Sequence, residues 1–437
     1  MGPIRAILVL ALAALLLGAQ APEEGWNRGR AVQQRRTRPA EPPSTVDWGA
    51  RIGSLLKDAA PGDLVISAVG DVILNERISA LKDARHQELY RLLQESDVAF
   101  GNLEGSLNAR PELQRPFYNF RADPDFAWEL AGLGFNLMSL ANNHTLDFGP
   151  EGLQETLRAL DRSRITHAGA GMTLEEARSP GVFSVQGQTR KVALLSYLRF
   201  WTSRYRSRDP HGASVATLDP AVILVAREGR EEAMEGVQEA DIRAMEEDIL
   251  LARRRGHRVV VTLHNHDVSH NRAFGIQEVT PPNDELMYRR ALAAGAEAVI
   301  GHGPHVLRGV ELREGRPILY SLGNFIYQYR TPSRIPVDLT HQRDPEMAKV
   351  PGQSVWDRRD TEEVMDSVVA RLVFNGDRLR RLQLIPVGIE DEGPLYGVPR
   401  LAEGTQATRI LERLKRLSLP YGTRLEVRGW YAEVALP

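Results

Sequence analysis

Histidine, asparagine and carboxylate side chains recur in this chain directly after apolar, β-branched runs. Val299–Gln328 is the densest case: an apolar run ends at Gly301 and releases His302 and His305 on a Gly/Pro loop. Four earlier runs do the same. DLVISAV leads to Asp71, SDVAFG to Asn102-Leu103-Glu104, NLMSL to Asn143 and His144, and RVVVTL to His264 and His266. Together these residue types have the chemistry of a metal centre. A carboxylate can bridge two cations, and Asn or neutral imidazole completes each shell without excess charge. Two cations roughly 3.5–4 Å apart can hold a hydroxide between them and clamp an oxyanion substrate. A His beside them but not bound can protonate the leaving group. His144 suits that role, with Asp147 three residues on to orient its ring.

Taken singly, each residue is ambiguous. Asp after a strand is commonly a turn or cap residue. Glu104 can cap a helix, and a lone His302 reads as a buried, hydrogen-bonded histidine. His266 reads as a loop or supporting histidine. Joint occurrence at five strand ends is what points to metal chemistry. The substrate-facing candidates are Arg77, Arg121, Arg308 and Asn324, because a guanidinium forks onto carboxylate or phosphate. Arg77 and Arg121 read equally well as ion-paired scaffold. Asn324 can bond a ligand carboxylate or hold its own loop.

The elements that must position these groups alternate strand and helix. Strands are predicted over Asp63–Val69, Ser96–Gly101, Asn136–Leu140, Ile165–Ala168, Lys191–Leu198, Arg258–Leu263 and Pro317–Leu322. Helices are predicted over Val46–Asp58, Ile78–Leu93, Asp125–Leu133, Gly152–Ser163, Ala240–Arg255, Asp284–Ala294 and Thr405–Ser418. A hairpin around Asn375-Gly376 joins Ser367–Phe374 to Arg380–Pro386. This is the grammar of an α/β fold, in which catalytic groups gather at the carboxyl ends of strands.

Composition narrows the chemistry. The chain has 437 residues, a net charge of −2 and no cysteine. Disulfides, thiolate catalysis and Cys-ligated zinc are excluded, and a cation must be held by His, Asp, Glu or Asn. That donor set suits one or two divalent ions: Mn, Fe, Zn, Mg or Ca. The charge balance offers no electrostatic case for nucleic acid. Met1–Ala21 reads as a signal peptide, with Arg5 as its positive start, Ile7–Leu17 as the apolar stretch and Ala19-Gln20-Ala21 as the cleavage site. The expected location is periplasmic or extracellular, with an uncleaved N-terminal anchor as the alternative. Residues 22–45 read as a disordered linker, 46–437 as the domain, and 329–360 as an irregular insertion or lid.

VISAVGDVILNERI, VAFGNLEGSL, FNLMSLANNHTLDFG, VVVTLHNHDV and VIGHGPHVLRGVELREGRPILYSLGNF resemble, in order, the motifs of the CapA family of poly-γ-glutamate capsule biosynthesis proteins. The resemblance runs from about Asp63 to Gly422. It implies the calcineurin-like metallophosphatase fold, a four-layer α-β-β-α sandwich with two mixed sheets. It also implies Asp71, Glu104, Asn143, His264, His302 and His305 as metal ligands and His144 as the catalytic imidazole. Two positions depart from the pattern. Asp71 is followed by Val72 and Ile73, where metallophosphatases carry Asp-x-His. The last loop reads Gly303-Pro304-His305, where many relatives carry His-Pro-His. Both departures favour one well-held ion with a weaker second. The implied function is an exported metal-dependent hydrolase of capsule biosynthesis, with metal-bound hydroxide attacking a phosphoester or γ-glutamyl bond. The alternative is a non-catalytic polyglutamate-binding assembly or export factor. Either would work beside membrane-bound capsule synthesis proteins.

Overall fold

Leu64–Ile73 (β1) is buried at every position. A strand covered on both faces reads as a near-continuous apolar run, and this one is the axis of a large mixed sheet. The computed structural model describes residues 44–110, 120–199, 212–227, 230–265, 278–328 and 362–437. The expected signal segment, the linker as far as Pro43, His266 and the 329–360 insertion lie outside the described residues.

The chain opens with helix α1 (Trp48–Leu56) and then builds one half of the large sheet. After β1 come α2 (Ala84–Gln94), β2 (Val98–Leu103), α3 (Phe126–Gly132), β3 (Leu137–Ser139), α4 (Gly149–Arg162) and β4 (Thr166–Ala168). Strands β1 to β4 pair in parallel in sequence order. The chain then crosses to a second sheet: β5 (Gly181–Phe183), β6 (Val192–Arg199), α5 (Glu239–Arg254), β7 (Arg258–Asn265), α6 (Pro282–Ala293), β8 (Ala298–His302), β9 (Val310–Arg313) and β10 (Arg316–Leu319). Their spatial order is β9-β10-β8-β7-β6-β5, with parallel pairing at the centre and antiparallel pairs at both edges. Strand β11 (Asn324–Tyr327) returns to the first sheet and lies parallel to β1, with Asn324 opposite Asp71. Strands β12 (Asp366–Asn375) and β13 (Arg378–Ile389) extend that sheet antiparallel, and α7 (Gly404–Ser418) follows.

Three cores define four layers. Leu64, Ile66 and Phe100 of the first sheet meet Leu194, Val260 and Ile300 of the second. On the outer face of the first sheet, Val69, Val72 and Met138 pack under Leu93, Leu130 and Leu160 of the helices. On the outer face of the second, Leu195, Val259 and Val261 pack under Ile249, Met287 and Leu292. The arrangement is the α-β-β-α sandwich with two mixed sheets that the sequence motifs imply.

Three local departures have physical causes. β1 runs past Asp71 to Ile73 through an irregular register step, so Asp71 lies inside a strand and not at its end. Gly70 allows this, because a Cβ there would lie 1.8 Å from the Gly323 carbonyl oxygen. The helix expected from Ile78 starts only at Ala84, because the Ile78 and Ser79 amides donate to the Glu129 carboxylate at 2.7 and 2.6 Å. Pro220–Arg227 and Arg230–Val237 form an antiparallel hairpin that no sequence signal marked.

Candidate metal centre

The polar residues converge because β1, β2, β7 and β8 end at the same edge of the sandwich. Parallel register sets His264 beside His302 on neighbouring strands of the second sheet, and Asp71 beside Asn102 on the first. The Glu104 amide donates to the Val72 carbonyl at 3.1 Å, which ties its loop to β1. The last loop turns sharply. Gly303 sits at φ +104°, and His305 adopts the left-handed region at φ +58°, a conformation that costs a non-glycine residue about 1–3 kcal/mol. The turn carries His305 back over Asp71 and Glu104.

Two groups of ligand-type side chains result, and they share Asp71: Asp71 with His264 and His302, and Asp71 with Glu104 and His305. In the first group, the Nδ1 atoms of His264 and His302 lie 3.9 and 3.8 Å from Asp71 Oδ1 and 2.8 Å from each other. In the second, His305 Nδ1 is 3.4 Å from Asp71 Oδ2, and His305 Nε2 is 3.7 Å from Glu104 Oε1. The Gly303 amide donates to Asp71 Oδ2 at 3.1 Å. Gly303 therefore does structural work that a side chain would impede, since a Cβ would sit 3.1 Å from both the Asn265 nitrogen and the His264 ring.

Each imidazole has one nitrogen pinned by a protein group. His302 Nε2 meets the Thr262 hydroxyl at 2.5 Å. His264 Nε2 meets Asn143 Oδ1 at 2.9 Å, so Asn143 orients a ring. His305 Nδ1 meets Asn324 Oδ1 at 2.9 Å. These partners fix the rings' orientation, as outer partners of ligand imidazoles do. His144 differs: its Nδ1 lies 2.7 Å from Asp147 Oδ2, and its Nε2 points toward Glu104 Oε1 at 4.0 Å. The Phe120 ring packs against His144 with centroids 4.3 Å apart, and the Phe120 amide also donates to Asp147 at 3.1 Å. The Asp147 carboxylate fixes the ring's orientation and leaves Nε2 toward the centre.

The donor set fits divalent cations. Glu104 is buried, and neither carboxylate oxygen has a hydrogen-bond donor among the described residues. An ionised carboxylate in that state costs several kcal/mol, and a cation relieves the cost. With protein groups alone, burial and the nearby Asp71 charge raise the Glu104 pKa to about 7. Burial lowers His302 to about 4. Burial would also lower His305, but the Glu104 and Asp71 carboxylates raise it to about 9. Burial opposes the charge on Asp71, yet the His305 contact and the other two imidazoles hold its pKa well below the usual range.

The expected substrate arginines are placed otherwise. Arg77 pairs with the buried Glu129 at 3.5 Å and lies over the Phe126 ring. Arg121 is exposed and donates to the Arg110 carbonyl at 3.2 Å. Arg308 is 1% exposed, packed where its charge acts on Tyr288 and Tyr421. A guanidinium so buried does not meet a substrate arriving from solvent. Asn324 is likewise buried: its Nδ2 donates to the His305 and Val364 carbonyls at 3.2 and 3.1 Å, so it holds the loop and not a ligand. Two further asparagines, Asn102 and Asn142, were not among the expected site residues. Asn102 donates to Asp71 Oδ1 at 2.8 Å, and Asn142 donates to Asn102 Oδ1 at 3.1 Å. Their position beside Glu104 and Asn143 in the same loops was the available signal.

The bacterial capsule synthesis protein family, PGA_cap, matches residues 65–329. An uncharacterized protein of Sinorhizobium fredii is 32% identical over 86% of this chain and 93% of its own length. A probable polyglutamine synthesis accessory protein of Mycobacterium tuberculosis is 32% identical over 54% of this chain and 56% of its own. The PGA biosynthesis protein CapA of Bacillus subtilis is 26% identical over 61% of this chain and 64% of its own. Among solved structures, one from Staphylococcus aureus assigned as a 5′-nucleotidase aligns over 78% of this chain and 55% of its own, at 11% identity and a TM-score of 0.37, a likeness that carries no argument.

Proposed function

The chain belongs to the bacterial capsule synthesis protein family, and from that premise we propose that it is a metal-dependent hydrolase acting on an anionic polymer of capsule biosynthesis. The observation that carries the reading is Asp71 shared between two ligand groups, beside a buried Glu104 carboxylate that lacks hydrogen-bond donors among the described residues. Asp71, His264 and His302 would hold one divalent cation; Asp71, Glu104 and His305 would hold a second. When bound, the cations lower the pKa of water toward neutrality and offset the charge of an oxyanion.

The chain's own residues supply the rest. Asp147 holds the His144 ring through Nδ1, which leaves Nε2, the nitrogen facing the centre, as the atom that would deliver a proton. From there His144 protonates the departing oxygen or nitrogen as the substrate bond breaks. Phe120 covers one face of the imidazole and limits its contact with water. The name of one relative, PGA biosynthesis protein, supports a polyglutamate chain cut at a γ-glutamyl amide bond; a phosphoester, in a separate substrate, is the other bond type that this chemistry would serve. Export belongs to the same proposal and rests on Met1–Ala21. Among the described residues, no helix is long and apolar enough to cross a membrane.

The test is elemental analysis of the purified protein, followed by turnover of poly-γ-glutamate and of an aryl phosphodiester. The expected result is bound divalent metal and hydrolysis that His144→Ala abolishes. A stable, metal-free protein would remove the hydrolase. Salt-sensitive polymer affinity without turnover would favour a binding role in capsule assembly. N-terminal sequencing of the protein recovered outside the cytoplasm checks export and cleavage.

A further inference from the structure

Residues 362–437 lie beyond the segment matched by the family, yet they reach the centre. The backbone of Val364–Ser367 runs along the Leu322–Asn324 turn. Val364 carbonyl accepts from Asn324 Nδ2 at 3.1 Å, and Ser367 Oγ donates to the Leu322 carbonyl at 3.1 Å. Gly323, at φ +72°, lies so close to the Asp366 carbonyl that a Cβ would approach it to 3.0 Å. Val364 and Met365 also join Ile73, Val306 and Tyr327 in a small core of their own, directly under the His305 loop.

Asp366, in the middle of this segment, is fully buried. Arg409 forks onto both its oxygens at 3.1 and 2.8 Å, and Arg413 adds a contact of 2.8 Å. Both arginines come from α7. A bidentate guanidinium pair fixes a carboxylate in angle as well as distance. The same helix also gathers Glu362 on Arg409 at 3.1 Å and Glu278 on Arg413 at 3.2 Å. Contacts therefore run from α7 through Asp366 and the Val364 carbonyl to Asn324, and from Asn324 to both the ring and the carbonyl of His305. The histidines of the first ligand group are oriented instead by Thr262 and Asn143, while Asp71, common to both groups, is tied by its amide to the Gly323 carbonyl at 3.0 Å.

We propose that Asp366, clamped by Arg409 and Arg413, is a positioning residue for the second ligand group, so that the C-terminal helix sets how tightly a cation is held by Asp71, Glu104 and His305. The inference rests on the two-cation reading above. The partners that orient metal ligands typically account for about 10- to 100-fold in affinity.

The experiment is calorimetric titration of the metal-free, full-length chain with Mn²⁺, with elemental analysis of the end point. Wild type, Asp366→Asn and Arg409→Met are compared. The expected result is two binding events in the wild type, with the weaker one loosened about tenfold in each variant and the tighter one unchanged. Asp366→Asn is nearly isosteric but leaves two arginines beside a neutral amide. Should it fail to fold by circular dichroism, Arg409→Met carries the test, because that side chain is one-third exposed (33%). Unchanged affinities in a folded variant, or equal loosening of both events, would overturn the inference. A single event in the wild type would also overturn it. A wild type that binds no Mn²⁺ would sink the two-cation reading itself, and the clamp would fall with it.

Discussion

The two ligand groups share an aspartate and little else. The group of Asp71, His264 and His302 lies where the strand ends of the two sheets meet, and all three side chains are buried. Its histidines sit on adjacent parallel strands, so sheet register sets their spacing. The group of Asp71, Glu104 and His305 depends on loops, and only its histidine is partly exposed. Its histidine occupies a strained backbone conformation and needs Asn324 to hold it. One group has two imidazoles and one carboxylate, the other two carboxylates and one imidazole. The first suits zinc or iron, the second a harder ion such as manganese or magnesium. The lesson is that a site can draw rigidity from a sheet on one side and adaptability from loops on the other. His144 Nε2 lies on the loop side, 4.0 Å from Glu104 Oε1.

The largest expected effect comes from the shared residue. Asp71→Ala removes the common carboxylate and should abolish both binding events, read as metal content in the purified protein. Retention of two ions would break the division into two groups. Next is His144→Ala, which should lower turnover by about 100- to 10,000-fold while metal content stays at the wild-type value. A loss of metal in that variant would make His144 a ligand. Glu104→Gln replaces a ligand and should weaken only the second event, by more than the roughly 10- to 100-fold that loss of an outer partner costs. It should raise stability in the metal-free protein, because a buried charge without donors is removed.

Acidity should separate the groups further. Cation binding needs ionised carboxylates and neutral imidazoles. His302, with its pKa lowered to about 4, is already neutral at pH 7. Glu104 at about 7 and His305 at about 9 each retain a proton below those values. Affinity in the second group should therefore fall as pH drops from about 9 through 7, with protons released on binding, while His302 adds no such slope to the first. Calorimetry in buffers of different ionisation enthalpy would show it, and equal pH slopes would refute it. The smallest effect is that of Gly303→Ala. It should cost about 1–3 kcal/mol through the φ +104° backbone, read as a shifted denaturation midpoint.

Much of this was legible in the chain. The strand ending in His264, the one ending in His302 and the Asn143-His144 loop were all marked by apolar runs that stop at polar residues. Such runs are read locally, because alternation and turn chemistry act over a few residues. The 78–83 stretch was misread as helix, because its periodicity is overridden by Glu129, about fifty residues away. The placement of Arg308 is hidden from the sequence for a similar reason. Arg308 has the right chemistry for an anion, but burial is a property of the packed layers and not of the local sequence.

By itself the sequence determined the α/β class, the residue types gathered at the strand ends, and the His144–Asp147 pairing, whose three-residue spacing is a local matter. Only the tertiary structure decided that Asp71 lies in both groups, which nitrogen of each imidazole faces the centre, and that Asn324 bonds the Val364 carbonyl, two residues from the aspartate that the C-terminal helix clamps. Those outcomes depend on register between strands far apart in the chain and on rotamers fixed by close packing. Neither is written in any single stretch of residues.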